Sequence, residues 1–202
     1  MKKKVALLTM RYDNNYGGNL QRYALYTVLQ QLGCEVICLY IRDSWKEAWK
    51  ETMSPAKQFI KICKQIIKHI LRPKTFPRFP WEKENSLYVQ ATKITEPFFE
   101  NYIKHTKICY STKDLEKNVY KHKCEAIVIG SDQVWRKAYV LRYGLCTFFG
   151  GFIHYKQKID RIVYGASFGV YDQEYTTVEA QEIQRVYKKL DAVSVREKSG
   201  MD

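Results

Sequence analysis

The stretch Met10–Leu32, MRYDNNYGGNLQRYALYTVLQQL, decides the fold of this chain. The apolar run Val5–Met10 that leads into it predicts a buried strand, and the spacing of apolar residues after Asn19 predicts an amphipathic helix. Between them, Asp13–Gly18 contain no apolar aliphatic residue and end in a glycine pair. A strand, a glycine loop and a helix N-terminus in this order turn backbone N–H groups toward an anion or a polar ligand.

The glycine pair is informative only in context. Gly17 and Gly18 allow positive φ and a close approach of a ligand, and Asn19 is a good N-cap for the helix. The loop matches neither the dinucleotide fingerprint nor the phosphate loop, because no third glycine follows at the right spacing and no Lys-Ser/Thr pair closes it. A tight strand-to-helix turn without a ligand explains the same residues, so both interpretations stay open here.

Composition predicts a globular chain with one good-sized α/β core or two small ones. The 202 residues are 46% hydrophobic and 14% aromatic. The 34 Lys and Arg residues exceed the 21 Asp and Glu residues and give a net charge of +13. This excess favours anionic partners such as nucleic acid, acidic lipid, phosphorylated substrates or acidic polysaccharide. A basic solubilising surface accounts for it equally.

The cysteines and the N-terminus indicate the cellular compartment. The 6 Cys residues are spread widely, without a CxxC pair or a Cys/His cluster. They predict reduced, buried thiols in a cytoplasmic protein and no metal site. Lys2–Lys4 followed by Val5–Met10 resemble the start of a signal peptide, but the apolar run is too short for secretion. No window approaches the roughly 18 apolar residues of a transmembrane helix.

The first 41 residues predict a strand–helix–strand unit. Apolar residues recur at helical spacing from Leu20 to Leu32, and Gly33 stands where a C-cap is expected. The following run, Cys34–Ile41, predicts a second strand. Because the connections are short, we expect a right-handed parallel crossover.

The stretch from about 43 to 121 predicts a less regular, mostly helical insertion. Its clearest element is a helix over Ser54–Leu71 with an apolar face and an opposite lysine face. Such a helix can lie peripherally on an anionic membrane, or it can pack on the core with its lysines solvated. Arg72–Trp81 predict a loop, and Ser111 predicts the start of a short helix over Thr112–Tyr120.

Further apolar runs predict strands over 124–129, 145–149, 161–166 and 191–195, with a helix over 175–190 before the last of them. Polar residues follow these strands at Ser131–Gln133, at Ser167 and at Arg196. Since ligands of open α/β sheets bind at the carboxyl ends of the strands, the convergence of these residues with Asp13–Asn19 predicts a site at that sheet edge.

Four blocks together resemble the polysaccharide pyruvyl transferase family: NYGGNLQRYAL, IVIGSDQVW, YGASFG and VSVREKSG. The resemblance runs from Val5 to Gly200, with little support across Asp43–Tyr120. It implies a Rossmann-like, open, mostly parallel sheet flanked by helices, as the N-terminal half of a glycosyltransferase-B-like two-domain fold. Because family members continue beyond this point, we expect residues 1–202 to be a single N-terminal domain, without the C-terminal domain and inactive alone.

The resemblance also implies an activity. Family members transfer an enolpyruvyl-derived group from phosphoenolpyruvate to sugar hydroxyls, forming a pyruvate ketal on a cell-surface glycan or its lipid-linked precursor. It therefore implies phosphoenolpyruvate as donor substrate, no other cofactor, and a glycan or lipid-linked sugar as acceptor. The expected location is the cytoplasm, with a possible peripheral contact at the inner membrane face through 54–71. Most donor contacts are expected in the second domain.

Ketal formation needs a general acid or base, and positive charge or N–H donors near the phosphate. Asp13 and Asp132 are the carboxylates that follow strands within the matched blocks, so they are the catalytic candidates. Either could accept a proton from the acceptor hydroxyl. Hydrogen bonding to sugar hydroxyls, or to local backbone N–H groups, explains them as well.

The substrate-binding candidates lie in the same blocks. Amide side chains suit sugar hydroxyls, and two aromatic rings could stack on a sugar face or wedge the loops. The amides are Asn14, Asn15, Asn19 and Gln21, and the rings are Tyr16 and Trp135. The set is completed by Gly17, Gly18, Gly130, Ser131, Gln133, Ser167 and Arg196. Ser167 could instead cap the next turn, and we expect Arg196 to form an ion pair with Glu197.

Two other functions stay open. A nucleotide-sugar glycosyltransferase is one, since a fold does not define a reaction. A basic domain that binds nucleic acid or an anionic surface would explain the net charge. However, the chain has no helix-turn-helix, RNP-type or zinc-finger signature and its charge is scattered, so no nucleic-acid partner is predicted.

Overall fold

The computed structural model describes residues 2–12, 15–41, 63, 95–154 and 158–200. Their centre is a five-stranded sheet in which every strand is parallel to its neighbours. Helices cover both faces of this sheet. This architecture confirms the predicted α/β class, and the assignment to a glycosyltransferase-B-like fold stays a prediction.

The strands are β1 (Lys4–Leu8), β2 (Glu35–Cys38), β3 (Ala126–Asp132), β4 (Asp160–Ala166) and β5 (Ala192–Val195). Their order across the sheet is β2-β1-β3-β4-β5. The helices are α1 (Tyr16–Gln31), α2 (Glu96–Tyr102), α3 (Thr112–Lys121), α4 (Lys137–Val140) and α5 (Thr177–Tyr187). Short 3₁₀ turns cover Leu141–Tyr143, Thr147–Phe149 and Lys198–Gly200.

The segments β1, α1 and β2 form the predicted strand–helix–strand unit. Lys4 pairs with Glu35, and the parallel register continues to Leu7 opposite Cys38. After α1, Gly33 has a φ of +84°, in the left-handed region that favours glycine. Gly33 therefore ends the helix where the sequence predicts its end.

The core has two layers because successive strand residues point to opposite faces of the sheet. On one face, Val5 and Leu7 pack with Leu25 of α1 and Phe99 of α2. On the other, Ala6 and Leu8 belong to a cluster whose largest members are Leu115, Trp135, Phe148, Phe149 and Phe152. Burial on both faces explains why the strands are continuous apolar runs rather than alternating ones.

The predicted strand over 145–149 is wrong. Thr147–Phe149 form a 3₁₀ turn whose side chains are buried in the core. Gly144 and Gly150 flank it with φ of +97° and +71°, so the backbone turns at both ends. A short apolar run signals burial, and it does not distinguish a strand from a helical turn.

Much of the predicted insertion, including the helix over 54–71 and the loop over 72–81, lies outside the described residues. The part that follows confirms the predicted short helix: α3 begins after Ser111, whose Oγ accepts a hydrogen bond from the Asp114 N–H at 3.2 Å. In the described part of the chain, no helix has the length and apolarity needed to cross a bilayer.

Candidate active site

A cleft of about 480 Å³ opens at the carboxyl ends of β1 and β3. The chain leaves β1 toward β2 on one side and returns to β3 on the other, so this crevice is the switch point of the sheet. Open α/β sheets bind ligands at that position. The cleft brings together six of the predicted site residues: Asn15, Gly18, Gln21, Ser131, Asp132 and Gln133. Asp13 and Asn14 lie outside the described residues.

The N-cap of α1 is Asn15, which corrects the prediction that Asn19 caps the helix. The Asn15 Oδ1 accepts a hydrogen bond from the Gly18 N–H at 3.2 Å, and the Asn19 N–H donates to the Asn15 carbonyl at 3.0 Å. Asn19 lies inside α1, on its buried face. Because α1 begins before the glycines, its N-terminus starts directly at the cleft.

The glycine pair lies in the first turn of α1, so neither glycine is needed for a positive φ. Among the described residues, a Cβ on Gly17 or Gly18 would come within 4 Å of nothing except the Asn15 side chain, at 3.4 and 3.5 Å. Packing against the described residues would therefore allow a side chain at either position. Only Gly18 faces the cleft, where its missing side chain leaves the helix N-terminus open to a ligand.

Arg22 joins α1 to the end of β1 beneath the cleft. This side chain is 3% exposed. Its Nε–H donates to Thr9 Oγ1 at 2.7 Å, and its Nη1 donates to Asn19 Oδ1 at 2.8 Å, while Nη2 donates to the Met10 carbonyl. The guanidinium is thus a positive charge held in one place. Sequence reasoning missed it, although its i, i+3 spacing from Asn19 places the two side chains on one helix face.

Aromatic rings complete the surroundings of Arg22. Its guanidinium carbon lies 5.6 Å from the ring centres of Tyr12 and Phe99, and these two rings stack at 4.5 Å. Burial raises the pKa of Tyr12, so its phenol is protonated at neutral pH. A cation against aromatic faces is stabilised by their quadrupoles. These contacts fix the cleft floor before a ligand arrives.

Gln21 carries a buried acceptor at the cleft wall. Its Oε1 has no hydrogen-bond partner among the described residues. A buried polar atom left without a partner costs about 1–3 kcal/mol. A donor that reached this oxygen would remove that cost, and the sugar contact of Gln21 stays a prediction.

The end of β3 turns sharply into the cleft. Gly130 has a φ of +124°, and a Cβ there would lie 2.1 Å from the Tyr164 carbonyl oxygen. Gly130 is therefore required by the close approach of β4, and it is absent from the cleft wall. This corrects its prediction as a substrate contact, because its backbone is buried between strands.

Asp132 adopts a left-handed backbone, with a φ of +76°, which is uncommon for a residue with a side chain. Its carbonyl accepts from the N–H groups of Val134 and Ser167, at 2.7 and 2.9 Å, and these bonds hold the conformation. Its carboxylate Oδ1 accepts from Arg196 Nη1 at 2.9 Å. Among the described residues, no donor reaches Oδ2. One carboxylate oxygen is held while the other is left for a ligand.

Arg196 has a partner other than the predicted one, whereas Ser167 takes the turn-capping role that was one of its two predicted alternatives. Arg196 pairs with Asp132, whereas Glu197 accepts from the Ser167 Oγ at 2.7 Å and from the Phe168 N–H at 2.9 Å. The expected Arg196–Glu197 ion pair is therefore wrong. Ser167 is 2% exposed, and its Oγ also accepts from the Gly169 N–H at 2.9 Å, so it caps a turn instead of contacting a substrate.

Of the two alternatives predicted for Trp135, stacking on a sugar face and wedging the loops, the structure supports the second. Its ring is 2% exposed, lies 4.9 Å from the ring of Phe149 at an interplanar angle of 11°, and donates its indole N–H to the Phe148 carbonyl at 3.1 Å. Trp135 anchors the loop after Asp132 in the core. Tyr16 is 62% exposed at the start of α1, beside the cleft wall but not in it.

Sequence reasoning missed much of the wall: Thr9, Met10, Arg11, Arg22, Tyr139, Arg142 and Tyr143. Arg11 directly follows the predicted strand Val5–Met10, so its position at a strand end was a usable signal. Arg142 follows α4, in a stretch with no motif, and carries no such signal. Three arginines and one carboxylate make the described wall positively charged, which favours anionic or hydroxyl-rich ligands.

The fold is that of an α/β protein with a polar cleft at the carboxyl edge of its parallel sheet, the position at which open α/β sheets bind small ligands. A family model described as polysaccharide pyruvyl transferase matches residues 15–202. The chain therefore belongs to the polysaccharide pyruvyl transferase family, a family of transferases. This confirms the resemblance seen in the sequence. A comparison with curated proteins found no match.

Proposed function

We propose that this protein takes part in moving a pyruvyl group from phosphoenolpyruvate to the hydroxyls of a sugar in a cell-surface polysaccharide or its lipid-linked precursor. Family membership supports the pyruvyl chemistry. The observation that carries a role for this chain in acceptor binding is the Asp132 carboxylate at the switch-point cleft, with Oδ1 held by Arg196.

The proposed reaction balances as a ketal synthesis. One sugar hydroxyl oxygen bonds to C2 of the enolpyruvyl group and loses its proton, and this loss balances the proton that the methylene carbon gains to become a methyl group. The C–O bond to phosphate breaks, and a second hydroxyl of the same sugar closes the ketal, so that its proton leaves with the phosphate. Asp132 is the proposed acceptor of a hydroxyl proton, a role that contributes about 10²–10⁴-fold to rate.

The charged wall of the cleft supports this assignment. Phosphoenolpyruvate is an anion, and positive groups fixed near it lower the energy of the charge that develops on the departing phosphate. Arg22 is fixed by its hydrogen bonds to Thr9 and Asn19, and Arg11 and Arg142 line the same wall. These arginines would add positive charge near phosphoenolpyruvate to the contacts that the family resemblance implies in the second domain.

The test is incubation of the full-length protein with phosphoenolpyruvate and a panel of glycans and lipid-linked sugars. Phosphate release together with a pyruvate ketal on the sugar, seen by mass spectrometry and NMR, is the expected result. Turnover of a sugar nucleotide without consumption of phosphoenolpyruvate would instead establish the glycosyltransferase alternative and overturn the proposal.

A peripheral membrane contact through Ser54–Leu71 is a separate proposal, which rests on the lysine face of that stretch and lies outside the described residues. Liposome sedimentation tests it. We expect binding to vesicles with anionic lipid, and loss of that binding on charge reversal at Lys61 and Lys64. Equal sedimentation with neutral vesicles would contradict the proposal.

A further inference from the structure

A second cavity of about 330 Å³ adjoins the switch-point cleft. Arg142 and Tyr143 line both spaces, so together they form a ridge between them. The outer wall of the second cavity comes from Ile41, beyond β2, and from the start of α3. Each space is large enough for a small-molecule site of about 300–1,000 Å³.

The ridge between the cavities is anchored. Leu141–Tyr143 form a 3₁₀ turn, and the Thr147 hydroxyl donates to the Tyr143 carbonyl. Gly144 follows with a φ of +97°, and a Cβ there would lie 3.2 Å from Thr147 Oγ1. The backbone conformation at position 144, where the turn after Leu141–Tyr143 closes, therefore favours glycine. Both spaces exist before a ligand binds.

The second cavity differs from the first in chemistry. Among the described residues, its lining has one charged side chain, the shared Arg142, and no carboxylate. Tyr110 and Leu141 are 50% and 46% exposed at its wall. The Ser111 hydroxyl accepts from the Asp114 N–H and donates to the Asp114 carboxylate, so it is fully engaged in the helix cap. Among the described residues at the start of α3, Thr112 supplies the hydroxyl that can bind a ligand in this cavity. A cavity wall of aromatic and aliphatic side chains with few hydroxyls suits an uncharged sugar, whose ring has an apolar face of C–H groups.

We propose that the second cavity binds the neutral sugar next to the acceptor sugar, so that the protein recognises an oligosaccharide and not a single sugar. The inference rests on the proposed function for the identity of the first sugar. Because Arg142 and Tyr143 line both cavities, the two cavities are direct neighbours, and Tyr110 lies at the wall of the second one, where its ring can cover a sugar face. In the described lining, a phosphate or nucleotide would meet a single cationic side chain, the shared Arg142.

The experiment measures binding of the full-length protein to methyl glucoside, galactoside and N-acetylglucosaminide, and to the matching methyl cellobioside, lactoside and chitobioside, by calorimetry and saturation-transfer NMR. The variants are Tyr110→Ala and Leu141→Ala. Tyr171→Ala and Leu32→Ala are the matched controls, since these side chains are 96% and 73% exposed and line neither cavity.

We expect a disaccharide to bind about tenfold tighter than its matching monosaccharide, and each cavity variant to remove that advantage, since a lost aromatic or aliphatic contact weakens binding by about this factor. Monosaccharide affinity should stay within about twofold, and both controls should behave as the parent. Equal affinity of the parent for both lengths, equal weakening of both by Tyr110→Ala, or no glycoside binding would each overturn the inference.

The outcome is separable from that for the proposed function. Pyruvyl transfer to monosaccharides without a disaccharide advantage would keep the proposed function and overturn this inference. A disaccharide advantage that Tyr110→Ala removes, in a protein that never consumes phosphoenolpyruvate, would keep the inference and overturn the proposed function.

Discussion

Arg196 Nη1 donates to Asp132 Oδ1 at 2.9 Å, which ties the end of β3 to the residue after β5. The backbone N–H of Arg196 also donates to the Ala166 carbonyl, at 2.9 Å, at the end of β4. Three strand ends are thus held together around one carboxylate. Such an arrangement positions the carboxylate at a constant place in the cleft, as proton transfer requires.

Replacing Asp132 with Asn tests its role as a base. The amide keeps the size and can still accept from Arg196, but it cannot take a proton. We expect kcat for phosphate release from phosphoenolpyruvate to fall about 10²–10⁴-fold, with little change in KM. Unchanged turnover would remove Asp132 from the catalytic residues.

Arg196→Gln is the companion variant. Arg196 acts through Asp132, so its loss should lower kcat less than Asp132→Asn does, and the two effects should not add in the double variant. Since the pair is partly exposed, thermal unfolding should change by only about 0–1 kcal/mol. A kcat loss in Arg196→Gln that adds fully to that of Asp132→Asn would contradict a positioning role.

Gln21→Met removes the buried amide oxygen while keeping the length of the side chain. Because Oε1 has no partner among the described residues, we expect no loss of folding stability. The KM for the acceptor sugar should rise about tenfold, since a hydrogen bond to the ligand is lost. Gln31→Met, at the far end of α1, serves as the control. Reduced stability with an unchanged KM would show that the amide has only a structural role.

Gly17→Ala and Gly18→Ala form a matched pair. Both sites are helical and a Cβ fits at each, so each change should raise the unfolding free energy by about 0.5–1 kcal/mol. Only Gly18 faces the cleft. We therefore expect Gly18→Ala alone to weaken acceptor binding. Equal effects of both variants on the acceptor KM would contradict this placement.

The Lys137–Glu179 contact, at 2.6 Å, should make stability pH-dependent. The hydrogen bond from Lys137, followed by those from Thr176, lowers the pKa of Glu179 to about 2. Because this value lies below the unfolded value of about 4.3, the stabilisation is present above about pH 4.3 and is lost as the pH falls toward 2.

Urea unfolding of Glu179→Gln tests that dependence, since Gln retains an acceptor for the Thr176 N–H. The parent should be the more stable protein at neutral pH, and the difference should shrink below about pH 4.3. In a Lys137→Met background the difference should be smaller at neutral pH. A pH-independent difference would mean that the charge contributes nothing.

Cys146 should be a slow nucleophile despite its partial exposure. Burial, followed by the adjacent Glu182 carboxylate, raises the pKa of its thiol to about 11. Glu182→Gln should therefore speed iodoacetamide labelling of Cys146 several-fold at about pH 8, because the thiolate fraction rises. Cys124, whose pKa is raised by burial, is the internal control in the same mass-spectrometric peptide map. An unchanged Cys146 rate would exclude the influence of Glu182.

The elements of the fold were largely predictable because hydrophobic periodicity is a local signal. The strand–helix–strand opening, α3 with its Ser111 cap, and the last helix and strand all follow from it. The run over 145–149 failed because burial alone does not specify backbone geometry. The strand-end rule also predicts the position of Ser131, Asp132 and Gln133, which line the cleft at the end of β3.

The side-chain contacts within the site were less predictable. Trp135 and Ser167 belong to polar or glycine-rich blocks, yet both side chains are almost fully buried. Arg22 lies within the block NYGGNLQRYAL but was not among the predicted site residues, and Arg142 reaches the cleft from a turn that contains no recognisable motif. A motif indicates which residues share a loop, whereas burial depends on the elements that pack against that loop.

The sequence by itself determined the class of the fold, the family, and the sheet edge with the candidate site. These depend on hydrophobic periodicity and on the residues that follow each strand, which are local features of the sequence. Only the tertiary structure decided that Asp132 pairs with Arg196, that a second cavity adjoins the cleft at Arg142, and that Asn15 caps α1. The pairing joins residues 64 positions apart, and contacts of that kind follow from strand order and packing rather than from local spacing.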